Sequence, residues 1–217
     1  MKNDQIRAYL INRRNSYQAE FESIVSREAL FEAIYAELEA FDFQVYASQV
    51  EKQIQRNLRE WWVNPKKGIR KEEGLFAILF EYDYFYAKGV EAQAYGIGEW
   101  EDYQVQTEEF DMGWEYDFTT EFYALPGISM NFFDPLEKLD HPNLPEQYRE
   151  GGIHNVTGFY ELVQLFKFNG MIAIHEVLRK MDSNEEFEAV NYKDNFMFII
   201  DEHDSGEVFP LLVKAKR

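Results

Sequence analysis

The chain has 217 residues, of which 46% are apolar and 17% aromatic, with a formal net charge of −18 and no cysteine. That length and apolar content suit one domain with a sizeable core and argue against disorder. The missing thiols exclude disulfides, Cys-liganded zinc and thiolate nucleophiles, and the acidity disfavours nucleic acid and anionic lipid as partners.

The opening residues Met1 to Arg7 lack the apolar core of a signal peptide, and the longest apolar run, Leu75 to Phe80, is far short of a membrane span. A cytoplasmic protein is therefore expected. The sequon Asn155-Val156-Thr157 then has no glycan to carry and fits the start of a helix instead.

From Ile6 to Trp62 the chain reads as helices. Ile6 to about Ile24 forms a first segment. Leu30, Ile34, Leu38 and Phe41 recur at helical spacing in a second, with Ser26 and Glu28 as its N-cap region. Val50, Ile54, Leu58 and Trp61 form a third stripe, with Asp42 at the junction and Asn64-Pro65 as the stop. The basic cluster Pro65 to Lys71 has no interleaved aromatics and runs into Glu72 and Glu73, so it reads as a solvated linker.

Beyond the linker the period changes to two. Phe80 to Tyr86 alternates as a strand, Lys88-Gly89 offers a tight turn, and Val90 to Tyr95 completes a hairpin that Gly96 and Gly98 interrupt. After the turn signal Asp111-Met112-Gly113, a strand is expected from Trp114 to about Phe122, with Leu125-Pro126-Gly127 closing it. Pro135, Pro142 and Pro145 mark an irregular connection ending at Gly151-Gly152. Residues 157–181 read as a helix apolar nearly all round, hence buried, with Asn169-Gly170 a place to kink. Phe196 to Asp201 and Val208 to Val213 form a last hairpin, in which Pro210 requires an edge or a bulge.

The expected architecture is a single α+β domain. It comprises a helical part (1–64), a basic linker (65–73), and a portion from 74 to 217 that holds a central antiparallel β-meander, a long buried helix (157–181) packed on the sheet, and a C-terminal β-hairpin.

The charge is unevenly spread. Residues 89–137 hold twelve acids, eleven aromatics and no Lys or Arg, against a net −1 before them (13 bases, 14 acids) and −5 after (9 bases, 14 acids). On the 114–122 strand, alternation turns Trp114, Tyr116, Phe118 and Phe122 to one side and Glu115, Asp117, Thr119 and Glu121 to the other. Glu115 and Asp117 would lie about 7 Å apart on an acidic ridge about 20 Å long. A half-exposed strand that simply solvates its acids has the same pattern.

No catalytic motif is complete. His175-Glu176-Val177-Leu178-Arg179 has the start of a zinc-protease helix, but Arg179 stands where the second histidine ligand belongs. His175 is then expected to be a packed or hydrogen-bonded helix residue. Asp201-Glu202-His203-Asp204 groups possible ligands beside a hairpin turn, and an exposed turn is the simpler reading. Gly96-Ile97-Gly98 lacks the third glycine and the helix of a dinucleotide fingerprint. No metal or cofactor is expected.

The helix–meander–helix–hairpin plan and the acidic bias resemble, in general outline, small bacterial proteins that bind and neutralise toxins. That resemblance implies a non-enzymatic, immunity-type or inhibitor protein facing a basic, nuclease-like partner. Glu115, Asp117, Glu121, Glu108, Glu109 and Asp111 would supply charge complementarity, and Trp100 and Tyr103 aromatic anchors. The alternative is a glycosidase-like hydrolase using a carboxylate pair near Glu115 and Asp117, in a cleft between the sheet and the 125–152 connection. A structural subunit dimerising through its N-terminal helices is a third reading.

Overall fold

The computed structural model describes residues 3–63, 74–100, 116–118, 125–149, 152–203, 205 and 207–214; at 99, 100, 116–118 and 195 it describes backbone alone. Three helices come first: α1 (Asn3–Ser23), α2 (Ala29–Ala40) and α3 (Phe43–Asn57). Each is amphipathic. Ile6, Leu10, Tyr17 and Phe21 are the buried stripe of α1, Phe31, Ile34 and Leu38 that of α2, and Tyr46, Val50 and Ile54 belong to that of α3. Asp42 caps α3, its carboxylate accepting from Gln44 N and Val45 N at 3.0 Å each. The expected cap of α2 differs: Glu28 occupies the position but makes no cap hydrogen bond, and its carboxylate accepts from the Tyr148 hydroxyl instead.

The third stripe also changes phase. A π-helical turn, Leu58–Trp62, extends α3, with Val63 N donating to Leu58 O. The wider turn rotates the chain, so Trp62 rather than Trp61 enters the core.

The sheet has the strands β1 (Leu75–Tyr82), β2 (Glu91–Trp100), β3 (Tyr116–Phe118), β4 (Leu125–Ser129), β5 (Tyr192–Glu202) and β6 (Val208–Lys214). Its order is β3-β2-β1-β5-β6, and β4 also pairs with β2. The meander is antiparallel, Leu79 facing Tyr95 across β1 and β2. The β1–β5 pair is parallel, which makes the sheet mixed. Between these two strands comes α5 (Phe159–Ser183), which serves as part of the crossover.

Several boundaries differ from the sequence reading. The first strand is Leu75–Tyr82, not 80–86: a central strand covered on both faces is apolar without alternation, which hid its start. It ends because Tyr84 takes a left-handed φ of 38°. Strand β2 runs through Gly96 and Gly98 instead of stopping there. Leu125, Pro126 and Gly127 lie within β4, where a register shift between Ala92 and Gln93 accommodates them. A Cβ on Gly127 would stand 2.2 Å from Ala92 O, so only glycine lets the two backbones approach. Pro210 lies on the edge strand β6, beside a register shift between Phe198 and Ile199, as its chemistry requires.

The 125–152 connection is more ordered than its prolines suggest. A 3-10 helix, Asn131–Leu139, buries Phe132, Phe133, Leu136 and Leu139, and a short helix α4 (Glu146–Arg149) follows. Gly170 does not break α5; a Cβ there would meet Phe132 Cζ at 2.1 Å, so the glycine makes room for that ring.

The main core runs from Ile6 of α1 to Leu212 of β6 and includes α5. On the sheet it takes Ile78, Phe80 and Tyr82 with Phe196, Phe198 and Ile200, and the Phe80 and Phe198 rings stack at 5.9 Å. The alternate residues Ala77, Leu79, Met197 and Ile199 join Ile97 and Val208 in a second, smaller buried cluster. No helix among the described residues is long and apolar enough to cross a membrane.

Candidate functional site

Two parallel strands end together at the carboxyl end of β1 and β5. Their register sets Glu81 beside Asp201 and Tyr82 beside Glu202. Because side chains alternate, the Glu81–Asp201 pair and the Tyr82–Glu202 pair face opposite sides of the sheet. Glu202 pairs with Lys167 of α5, whose ammonium also stands 5.0 Å from the centre of the Phe85 ring. Asp201 is almost fully buried and accepts a 3.0 Å hydrogen bond from Ser205 Oγ. Burial is the main cause that pushes its pKa up to about 6; the Ser205 hydrogen bond works against the rise, and the Glu81 and Glu202 charges add to it. Asp201 and Glu202 therefore point apart and cannot chelate one ion with His203. That imidazole lies 3.3 Å from Glu81 Oε1. Among the described residues, no group of three or more His, Asp or Glu is placed to hold a metal.

Next to these strand ends lies an open groove of about 420 Å³. Glu81, Asp83 and Tyr84 enter it from β1 and its end, Glu91 and Tyr95 from β2, and His203 from the end of β5. Its rim is anchored to the 3-10 helix: Gly89 N donates to Asp134 Oδ1 at 2.9 Å, and Lys88 Nζ lies 2.6 Å from Glu137. The Tyr84 hydroxyl donates to Asp140, and that hydrogen bond raises its pKa. Lys88 is the only lysine among the described lining residues, and a carboxylate outside the groove holds it, so no described lysine or arginine of the lining pairs with the groove's acids.

Glu115, Glu121, Tyr103, Glu108, Glu109 and Asp111 lie outside the described residues, and of Asp117 and Trp100 the backbone alone is described. That backbone pairs Asp117 with Glu99 and Tyr116 with Trp100, which puts β3 on the edge of β2. Strand β4 pairs with the same strand further along, Leu125 facing Ala94 and Ser129 facing Glu91. Sequence reasoning missed Glu81, Asp83 and Glu91 as neighbours of His203. The antiparallel β1–β2 pairing sets Glu91 near the end of β1, and the parallel β1–β5 pairing, which leaves no local signal, adds His203.

His175 behaves as its position on an apolar helix suggests. It is fully buried, with Nδ1 2.6 Å from the Leu211 carbonyl. No family model, curated protein or solved structure matches the chain.

Proposed function

We propose that the protein is a non-enzymatic binding domain that receives a basic protein, most concretely a nuclease-like toxin or another nucleic-acid-binding protein. The observation that carries this reading is the run 89–137, with twelve carboxylates and no Lys or Arg in a chain of net charge −18. A field of that sign attracts a cationic surface and raises the encounter rate with it. The groove supports the reading, because Glu91 of that run lines it together with Glu81 and Asp83. In the run 89–137, Glu115, Asp117 and Glu121 supply charge, with Glu108, Glu109 and Asp111 on the approach, and Trp100 and Tyr103 act as anchors.

The test is affinity capture from the native cell at low and high salt, followed by a binding titration with the captured partner. A basic protein is expected, and its Kd should rise about tenfold or more on going from low to high salt. Combining Glu115→Lys, Asp117→Lys and Glu121→Lys should weaken binding further. An unchanged Kd for that triple variant would refute the site assignment, and a salt-insensitive partner would refute the electrostatic reading.

A further inference from the structure

The outer edge of β6 is closed by helix side chains, and one of them is the buried imidazole of His175. His175 Nδ1 lies 2.6 Å from Leu211 O. A carbonyl only accepts, so Nδ1 carries the proton and the neutral ring leaves Nε2 bare. Nε2 is buried and meets no hydrogen-bond partner among the described residues. Two residues along the same edge, the Asn3 amide serves both backbone groups of Val213: its Oδ1 accepts from Val213 N at 2.9 Å, and its Nδ2 donates to Val213 O at 3.0 Å. Alternate residues of an antiparallel strand face the same edge, so one row of β6 groups is shared between α5 and the start of α1.

We propose that His175 is an acid-sensitive latch, which holds α1 and α5 against the outer edge of β6 and frees that edge when the imidazole becomes protonated. Protonation would put an N–H and a positive charge at Nε2, where no described residue accepts them. The charged groups around the ring give little relief. From α5 these are Glu176 and Arg179, and from α1 Arg7. Arg7 is paired with Glu176, and Arg179 with Asp4 at 2.9 Å, so the carboxylates at hand are engaged. Residues 208–213 of β6 contain no titratable side chain, and Lys214 beyond them is held by Asp182 and Glu188 at 2.7 and 2.8 Å.

Burial lowers the pKa of His175, and the cations of Arg179 and Arg7 act in the same direction, against the Leu211 hydrogen bond and Glu176. A depressed folded value means the latch is complete above the ordinary imidazole pKa of about 6.5 and is lost as pH falls through the lower folded value. Within that window the opening constant grows about tenfold per pH unit.

Hydrogen exchange of the whole chain between pH 7.5 and 5, corrected for intrinsic rates, reads this directly. Protection of the Val213 amide should fall about tenfold per pH unit below about 6.5, while the amides of β1 hold theirs. The His175→Asn variant, whose amide can still donate to Leu211 O but does not titrate, should lose that dependence. Asp201, at the far end of the hairpin, is present in both proteins and so cannot account for a difference between them. NMR titration of the wild-type imidazole should show the ring protonating below its ordinary value, at the acid end of the window in which Val213 loses protection. A flat Val213 profile in the wild type, a ring titrating at or above about 6.5, or an unaltered slope in a folded His175→Asn protein would each overturn the proposal. Should the variant not fold, the imidazole titration and the Val213 profile of the wild type decide the matter together.

Discussion

Gly170→Ala places two familiar effects in opposition. In an exposed helix the substitution stabilises by about 1 kcal/mol, because alanine gives up less backbone freedom than glycine. Here the new Cβ would stand 2.1 Å from Phe132 Cζ and 2.5 Å from both Cε atoms, against a normal carbon contact of about 3.5–4.0 Å. The ring must retreat by more than about 1 Å to restore that contact. It has little room: Phe132 is fully buried and packed against Phe133 at 4.3 Å and Tyr46 at 5.3 Å between ring centres. Overpacking of this kind costs about 1–3 kcal/mol, and a clash with three ring atoms belongs at the upper end. The net expectation is a loss of about 2 kcal/mol despite the better helix former. Urea denaturation followed by both circular dichroism and tryptophan fluorescence measures it, coincident transitions being the check on two-state behaviour. Adding Phe132→Leu should recover part of the loss, as a favourable coupling in the double-mutant cycle. A Gly170→Ala protein as stable as the wild type, or more so, would refute the packing role assigned to this glycine.

Asn57→Ala removes a donor that lies 2.6 Å from Gly127 O, in a nearly fully buried position, so it should cost about 1–3 kcal/mol in the same urea assay. Asp201→Asn tests the buried acid beside the groove. Its folded pKa of about 6 lies above the ordinary 3.8, so its favourable contribution is complete below 3.8 and is lost as pH rises through about 6. The variant keeps an acceptor for Ser205 without the charge, and it should exceed the wild type in stability by ~1–3 kcal/mol at pH 8 and lose the advantage near pH 4. Thermal melts across that pH range give the comparison, and a wild type that remains the more stable at pH 8 would count against the desolvation of this carboxylate.

How legible each element was depended on whether its cause is local. The Leu162, Phe166 and Ile174 stripe and the breadth of the apolar surface made α5 readable, because helical burial repeats along one segment. Asp42 was readable as a junction because a capping carboxylate acts two and three residues away. Pro210 announced an edge or bulge through its missing N–H. The start of β1 was not legible, since both faces of Leu75 to Phe80 are covered and no alternation survives. Nor was the β4 position of Pro126 and Gly127, which depends on a bulge opposite Ala92 and on distant side chains. For the site, the acidic bias was plain in the composition. The neighbourhood of Glu81, Asp201 and His203 was not, because it is created by strands more than a hundred residues apart in sequence.

The outer edges of β4 and β6 are closed in the same manner, and this bears on how the proposed partner would bind. Along β4, Gln53 accepts from Ser129 N and Tyr46 donates to Ser129 O, while Asn57 and Trp62 donate to Gly127 O and Pro126 O. Along β6, Asn3 and His175 take the groups of Val213 and Leu211. A partner adding a strand at either edge would first have to displace these side chains, each worth about 1 kcal/mol net and more if its backbone partner were left unpaired in the interior. At neutral pH, strand addition at β4 or β6 is therefore the costlier route. Side-chain recognition by surface carboxylates needs no such displacement: Asp83 and Glu91 are already exposed on the groove wall. For the basic partner proposed above, the closed β4 and β6 edges and the exposed groove carboxylates favour a mode of binding that depends on salt and on Lys and Arg side chains rather than on strand addition at those two edges.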